Sequence, residues 1–136
     1  PAGHVVNTPV SLVDCFPTVL EAVGAAPVAE DNDLPGRSLW PLAQRLEVDR
    51  TVFSEYHAVG SQNAIYMLRS PEYKYIYHVS DPPQLFDLEA DPEEINDLSA
   101  SPDHRLVLRD FEKQLHTLLD PEAVDAQAKA DQKAKI

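Results

Sequence analysis

Four short runs rich in aromatic and β-branched residues follow one another at close spacing, and no other feature limits the fold as much. They are Thr51–Tyr56, Ala64–Arg69, Tyr73–Val79 and Gln84–Leu88. Each reads as a strand. In the third, period-two alternation sends Tyr73, Tyr75 and Tyr77 to one face and Lys74, Ile76 and His78 to the other. Only Ser70-Pro71-Glu72 separates the second run from the third, which predicts a hairpin with Arg69 and Lys74 facing each other near its turn. Ser80-Asp81-Pro82-Pro83 makes the next turn. Links this short favour antiparallel neighbours. The apolar face of such a sheet needs a cover. Pro102–Leu119 supplies one, because Leu108, Phe111, Leu115, Leu118 and Leu119 fall on one helical stripe. The predicted fold class is α+β: a small four-stranded antiparallel sheet packed against a long C-terminal helix.

The stretch before the strands differs in texture. Ser11 is a plausible N-cap, Leu12, Phe16, Val19, Leu20 and Val23 recur at helical spacing, and Gly24 stands at the C′ position. Pro17 removes a backbone donor, so either an irregular first turn or a helix that restarts there is expected. Leu34-Pro35-Gly36 is a turn, and Ser38–Leu46 reads as a short helix with Leu39, Leu42, Ala43 and Leu46 on one face. This helical part does not fit the sheet unit and reads as the end of a larger α/β domain. The expected organisation is 1–49 for that end, 50–120 for the sheet and helix, and 121–136 for a polar tail. The tail, rich in Ala, Lys, Asp and Gln, is expected to be a frayed helix or an oligomerisation arm on another chain.

Charge narrows the partners. Eleven basic residues stand against 23 acidic ones, for a net charge of −12. A nucleic-acid or anionic-membrane surface would need the opposite balance, so neither is an expected partner. The single cysteine, Cys15, excludes an intrachain disulfide and a cysteine-type zinc site, and slightly favours a reducing, cytoplasmic setting. Glu30-Asp31-Asn32-Asp33 places Gly36 sixth from Asp31 but Leu42 twelfth, so it is a solvated acidic loop rather than a calcium-binding one. The carboxylates of Asp87 to Glu94 read as turn chemistry, with Asp91 capping one turn and Asn96 closing the next. Among five histidines (His4, His57, His78, His104, His116) no pair has metal spacing on one helix, and His104 and His116 are expected to be exposed. The tyrosines suit a half-buried sheet better than a cage for a quaternary ammonium. Arg69 and Lys74 are expected to pair with Glu72 or with a catalytic domain.

Specific words then appear in order. Val10-Ser11-Leu12-Val13-Asp14-Cys15-Phe16-Pro17-Thr18-Val19-Leu20, Leu34-Pro35-Gly36-Arg37-Ser38-Leu39, Phe53-Ser54-Glu55-Tyr56, Met67-Leu68-Arg69 with Tyr73-Lys74-Tyr75-Ile76-Tyr77, and Leu85-Phe86-Asp87-Leu88-Glu89-Ala90-Asp91-Pro92-Glu93-Glu94 together resemble the C-terminal subdomain of sulfatases of the alkaline-phosphatase superfamily. The resemblance covers roughly residues 3–120. Ser54-Glu55-Tyr56 leading to Gly60, Asp81-Pro82-Pro83-Gln84 and the polar tail are most similar to choline-sulfatase-like enzymes.

The resemblance implies a parent enzyme that hydrolyses a sulfate ester, such as choline O-sulfate or a similar alkyl sulfate. It implies a cysteine converted to formylglycine and a divalent cation, usually calcium, both upstream of Pro1. An exposed apolar face and a tail able to lie on another chain make a homo-oligomer the expected assembly. Cys15-Phe16-Pro17-Thr18 has half of a formylglycine word, but Val19 stands where Arg would follow, so Cys15 is expected to be a small buried apolar side chain. No catalytic or metal residue is expected within the chain. His57, which ends the first strand and opens the polar loop Gly60-Ser61-Gln62-Asn63, and Asn7, before the first helix, are the candidate pocket residues. Two alternatives stay open: a non-catalytic acidic adaptor module, and a phosphodiesterase or phosphonate hydrolase of the same superfamily.

Overall fold

The computed structural model describes residues 3, 5–44, 49–57 and 60–134. The chain divides into two compact units, Pro1–Val52 and Phe53–Ile136.

In the second unit the strand residues pair as their alternation dictates. Strands β1 (Val52–Tyr56), β2 (Ile65–Arg69), β3 (Tyr73–His78) and β4 (Gln84–Asp87) form one sheet in the order β1-β2-β3-β4. β2 and β3 make the hairpin, antiparallel, with Arg69 opposite Lys74 and Leu68 opposite Tyr75. β4 pairs antiparallel with β3 and sets Leu85 opposite Tyr75. Leu68, Tyr75 and Leu85 thus form one buried row across three strands. Helix α3 (Arg105–Leu118), led by a 3₁₀ turn at Pro102–His104, closes over this row through Phe111 and Leu115. The Phe111 ring stacks on Tyr75 with centroids 5.8 Å apart. Beyond β4 the chain protects the sheet edge: Leu98 N–H donates to Leu85 C=O, and Asp97 Oδ1 accepts Leu85 N–H at 3.1 Å.

Several expectations change here. Leu118 is 59% exposed and lies outside the stripe, while Val107 and Leu119 flank the core. Lys74 pairs with Glu94 at 2.6 Å rather than with Glu72, and Glu94 takes a positive φ of 56° in the turn capped by Asp91. Asp91 does hold the Asn96 N–H, at 2.7 Å, and Asp87 Oδ1 caps the turn before it through the Glu89 and Ala90 N–H groups. His104 is half-buried edge-on to Tyr73, whereas His116 is exposed. His4 lies outside the described residues. Tyr66 and Tyr75 are core residues, so the tyrosines form no cage. The polar tail is an ordered 14-residue helix, α4 (Pro121–Ala134), whose Pro121 and Asp125 are buried and whose Val124 packs on the core of its own unit.

The first unit is built around a charge. A 3₁₀ turn, Leu12–Asp14, precedes helix α1 (Cys15–Ala22), so the irregular start expected from Pro17 is present. Gly24, at φ +69°, ends α1 with Ala25 N–H bonded to Leu20 C=O and Gly24 N–H to Glu21 C=O. Asp14 is fully buried. Its Oδ1 accepts Arg37 N–H at 2.9 Å and Arg50 Nη2 at 2.7 Å, and its Oδ2 accepts Ser11 N–H at 2.8 Å. Burial alone would raise the Asp14 pKa. The Arg50 hydrogen bond, reinforced by the two backbone donors, outweighs it and holds the carboxyl below its ordinary value. Gly36 passes so close to the 3₁₀ turn Leu12–Asp14 that a Cβ there would meet the Val13 carbonyl oxygen at 2.1 Å. The second helix of the unit, α2, is short (Trp40–Ala43), with Leu42 buried; Leu46 lies outside the described residues.

The apolar stripe of α1 is not a core. Leu12, Phe16, Val19 and Val23 are exposed, Leu12 by 88%, and no residue of α1 is buried. Cys15 is exposed too, against expectation. The reason is local: among the described residues of this unit no second layer covers that stripe.

Candidate functional site

His57 leaves the end of β1 where the chain turns towards Gly60, which needs a positive φ of 99°. The imidazole is half-buried. Its Nε2 lies 3.3 Å from Glu55 Oε2, and its ring meets Tyr66 edge-on at 5.6 Å. Its Nδ1 is buried without a hydrogen-bond partner among the described residues. Ser61 Oγ donates to the Asn63 carbonyl and tightens the loop. Beside it opens a cleft of about 240 Å³ bordered by Ser61, Gln62, Asn63, His78 and Asp81. These side chains offer hydroxyl, amide, imidazole and carboxylate groups, which can orient a polar ligand.

The far wall of the loop is α4. Asp125 Oδ1 accepts Ala64 N–H at 2.7 Å, and its Oδ2 accepts Lys129 Nζ at 2.6 Å. The same ammonium donates to Asn63 Oδ1 at 2.7 Å, and Gln132 Nε2 donates to the His57 carbonyl at 2.8 Å. The Lys129 hydrogen bond is the main cause that holds the Asp125 carboxyl below its ordinary value against desolvation; the Ala64 N–H adds to it. Tyr66 donates its hydroxyl to the Pro121 carbonyl at 3.0 Å, and Tyr77 to Glu122. Burial, with Glu55 and Asp125 nearby, pushes the Tyr66 phenol up to about 12.

Asn7 belongs to the first unit and is exposed in the irregular stretch before α1. The functional neighbourhood missed from sequence is on α4: Asp125, Lys129 and Gln132 lie at i, i+4 and i+7, one helix face, a spacing visible in the sequence but polar throughout. Asp14 was missed as well, although an acid inside the apolar run Val10–Leu20 signals a paired charge.

The described residues do not fit a metal centre or a formylglycine. Among the described residues no three His, Cys, Asp or Glu side chains converge. Cys15 sits on α1 without the arginine of a conversion word. No described helix is long and apolar enough to cross a membrane.

Residues 1–120 match the family model described as N-sulphoglucosamine sulphohydrolase, C-terminal. Arylsulfatase K of Danio rerio is 38% identical over 129 residues, covering 88% of this chain and 24% of that protein. Choline-sulfatase of Rhizobium meliloti is 34% identical over 128 residues, covering 92% and 25%. The crystal structure of Ps i-CgsB in complex with k-i-k-neocarrahexaose superposes with a TM-score of 0.69 at 28% identity, over 87% of this chain and 26% of that one. The chain therefore spans about a quarter of the length of the curated relatives it matches. The hairpin words, the four-stranded sheet under α3 and a family match over most of the length agree: this chain belongs to the sulfatase family, as its C-terminal domain.

Proposed function

We propose that this chain is the C-terminal part of an enzyme that hydrolyses a sulfate ester, and that it supplies scaffold and one pocket wall rather than the reacting groups. The match of residues 1–120 to a sulfatase C-terminal model carries the reading. The exposed stripe of Leu12, Phe16, Val19 and Val23 supports it, since so much contiguous apolar surface calls for a covering layer. The preceding catalytic part of the parent protein would supply that layer, together with the formylglycine and a divalent cation, calcium by family resemblance.

His57 and the loop Gly60–Asn63 then form the pocket wall, and Asn7 is a separate candidate within the first unit. Their groups can hydrogen-bond the ester's alcohol portion and displace water; none is a nucleophile. Choline O-sulfate or a similar alkyl sulfate is the substrate class we put first, on the likeness to choline-sulfatase. The parent enzyme works as a homo-oligomer, and the free, exposed thiol of Cys15 suits the cytoplasm.

Peptide mapping of the full-length gene product tests the reading. It should find a formylglycine residue upstream of Pro1. An unmodified nucleophile there would move the reading to a phosphate or phosphonate hydrolase, and the absence of any upstream catalytic part would leave an adaptor module.

A further inference from the structure

We infer that α4 is a polar clamp on the β1–β2 loop, with Asp125, Lys129 and Gln132 as positioning residues for the pocket wall. The inference rests on the reading of that loop as a pocket wall.

The contacts of α4 converge on the loop's two ends. At the entry, the His57 carbonyl is taken by Gln132. At the exit, Asn63 Oδ1 is taken by Lys129 and Ala64 N–H by Asp125. Ala64 is 1% exposed, so its N–H has no access to water and needs this acceptor. The Asp125 carboxylate is nearly buried in turn, and Lys129 both neutralises it and carries its hold on to Asn63.

A helix that merely covered a sheet end would do so with apolar side chains. α4 packs Val124 on the core and buries Pro121, and the side that meets the loop carries Asp125, half-buried Ala128 and Lys129, and exposed Gln132. Hydrogen bonds are directional, so three of them on one rigid face fix the loop's register as apolar packing would not. The clamp also lies beyond residues 1–120 matched by the family model. It is placed where it can set the shape of the cleft beside Ser61, Gln62 and Asn63 without touching the reacting groups.

The test uses the full-length enzyme with Asp125→Ala, its conservative partner Asp125→Asn, and Gln132→Ala, which removes an exposed contact and leaves the core alone. Hydrogen exchange of peptides spanning 57–64 is compared with that of peptides within β3, alongside KM and kcat for a sulfate ester and inhibition by inorganic sulfate. Asp125→Ala should speed exchange around Ala64 by about tenfold, the loss of one charge-assisted hydrogen bond. β3 should keep its protection, KM should rise several-fold, and kcat and sulfate inhibition should stay put. Asp125→Asn, which still accepts from Ala64, should recover part of the loss, and Gln132→Ala should loosen the His57 end. Unchanged exchange at 57–64, or an equal loss of protection in β3, would overturn the clamp. Faster exchange with an unmoved KM would overturn the positioning role and the pocket wall together. Peptide mapping that finds no formylglycine would count against the sulfatase assignment alone.

Discussion

Helices α3 and α4 are both 14 residues long and pack on the same sheet unit, yet different forces hold them. α3 inserts Phe111 and Leu115 beneath the row Leu68, Tyr75 and Leu85, and takes its stability from buried apolar area. α4 is tied by the Asp125, Lys129 and Gln132 hydrogen bonds and by Tyr66 and Tyr77 reaching towards its first turn. Apolar packing is strong and non-directional, so α3 decides whether the unit folds. Hydrogen bonds are individually modest and directional, so α4 decides where particular atoms of a loop stand.

The sharpest way to break this contrast is to compare Leu115→Ala with Asp125→Ala. Leu115 is 0% exposed, and its truncation should cost about 3 kcal/mol of global stability by urea unfolding. Asp125→Ala should cost about 1.4 kcal/mol, concentrated in the β1–β2 loop and read by hydrogen exchange. A larger global loss from Asp125 than from Leu115 would reverse the assignment of roles.

Acid should separate the two helices further. The Asp125 carboxyl is lowered from 3.8, so its contribution is fully present above that value and fades as pH falls through the lowered folded-state value. The amide resonance of Ala64 should therefore titrate with a midpoint below 3.8, and the titration should vanish in Asp125→Asn. The contacts of Phe111 and Leu115 involve no carboxylate and should not follow it.

Smaller effects sharpen the picture. Tyr66→Phe keeps the ring and strips the Pro121 carbonyl of its donor, for about 1 kcal/mol by thermal melting. Gln132→Ala should change global stability by no more than about 0.5 kcal/mol while still loosening the loop at His57.

The same division explains what the sequence disclosed. The strands and α3 write themselves in apolar periods of two and 3.6, and Ser70-Pro71-Glu72 sets the register that places Arg69 opposite Lys74. α4 carries no apolar stripe, so periodicity reads Glu122–Ile136 as a fraying tail, although Asp125 and Lys129 hold it to β2's entry. Asp14 hides in the opposite way, a charge inside an apolar run whose partners, Arg37 and Arg50, are far along the chain. On α1 the period was real but no described residue of its unit covers it, which is why Leu12 and Cys15 are exposed instead of buried. His57 was legible as a strand-end residue; what holds its loop was not, because hydrogen bonds spanning 61 to 75 positions leave no local pattern.

The most direct test of the account is steady-state release of inorganic sulfate from an alkyl sulfate such as choline O-sulfate, comparing the full-length protein with residues 1–136 alone. The account predicts sulfate release by the full-length protein and none by the isolated segment. Turnover by the segment itself, or a full-length protein that cleaves phosphonate esters and leaves sulfate esters intact, would contradict it.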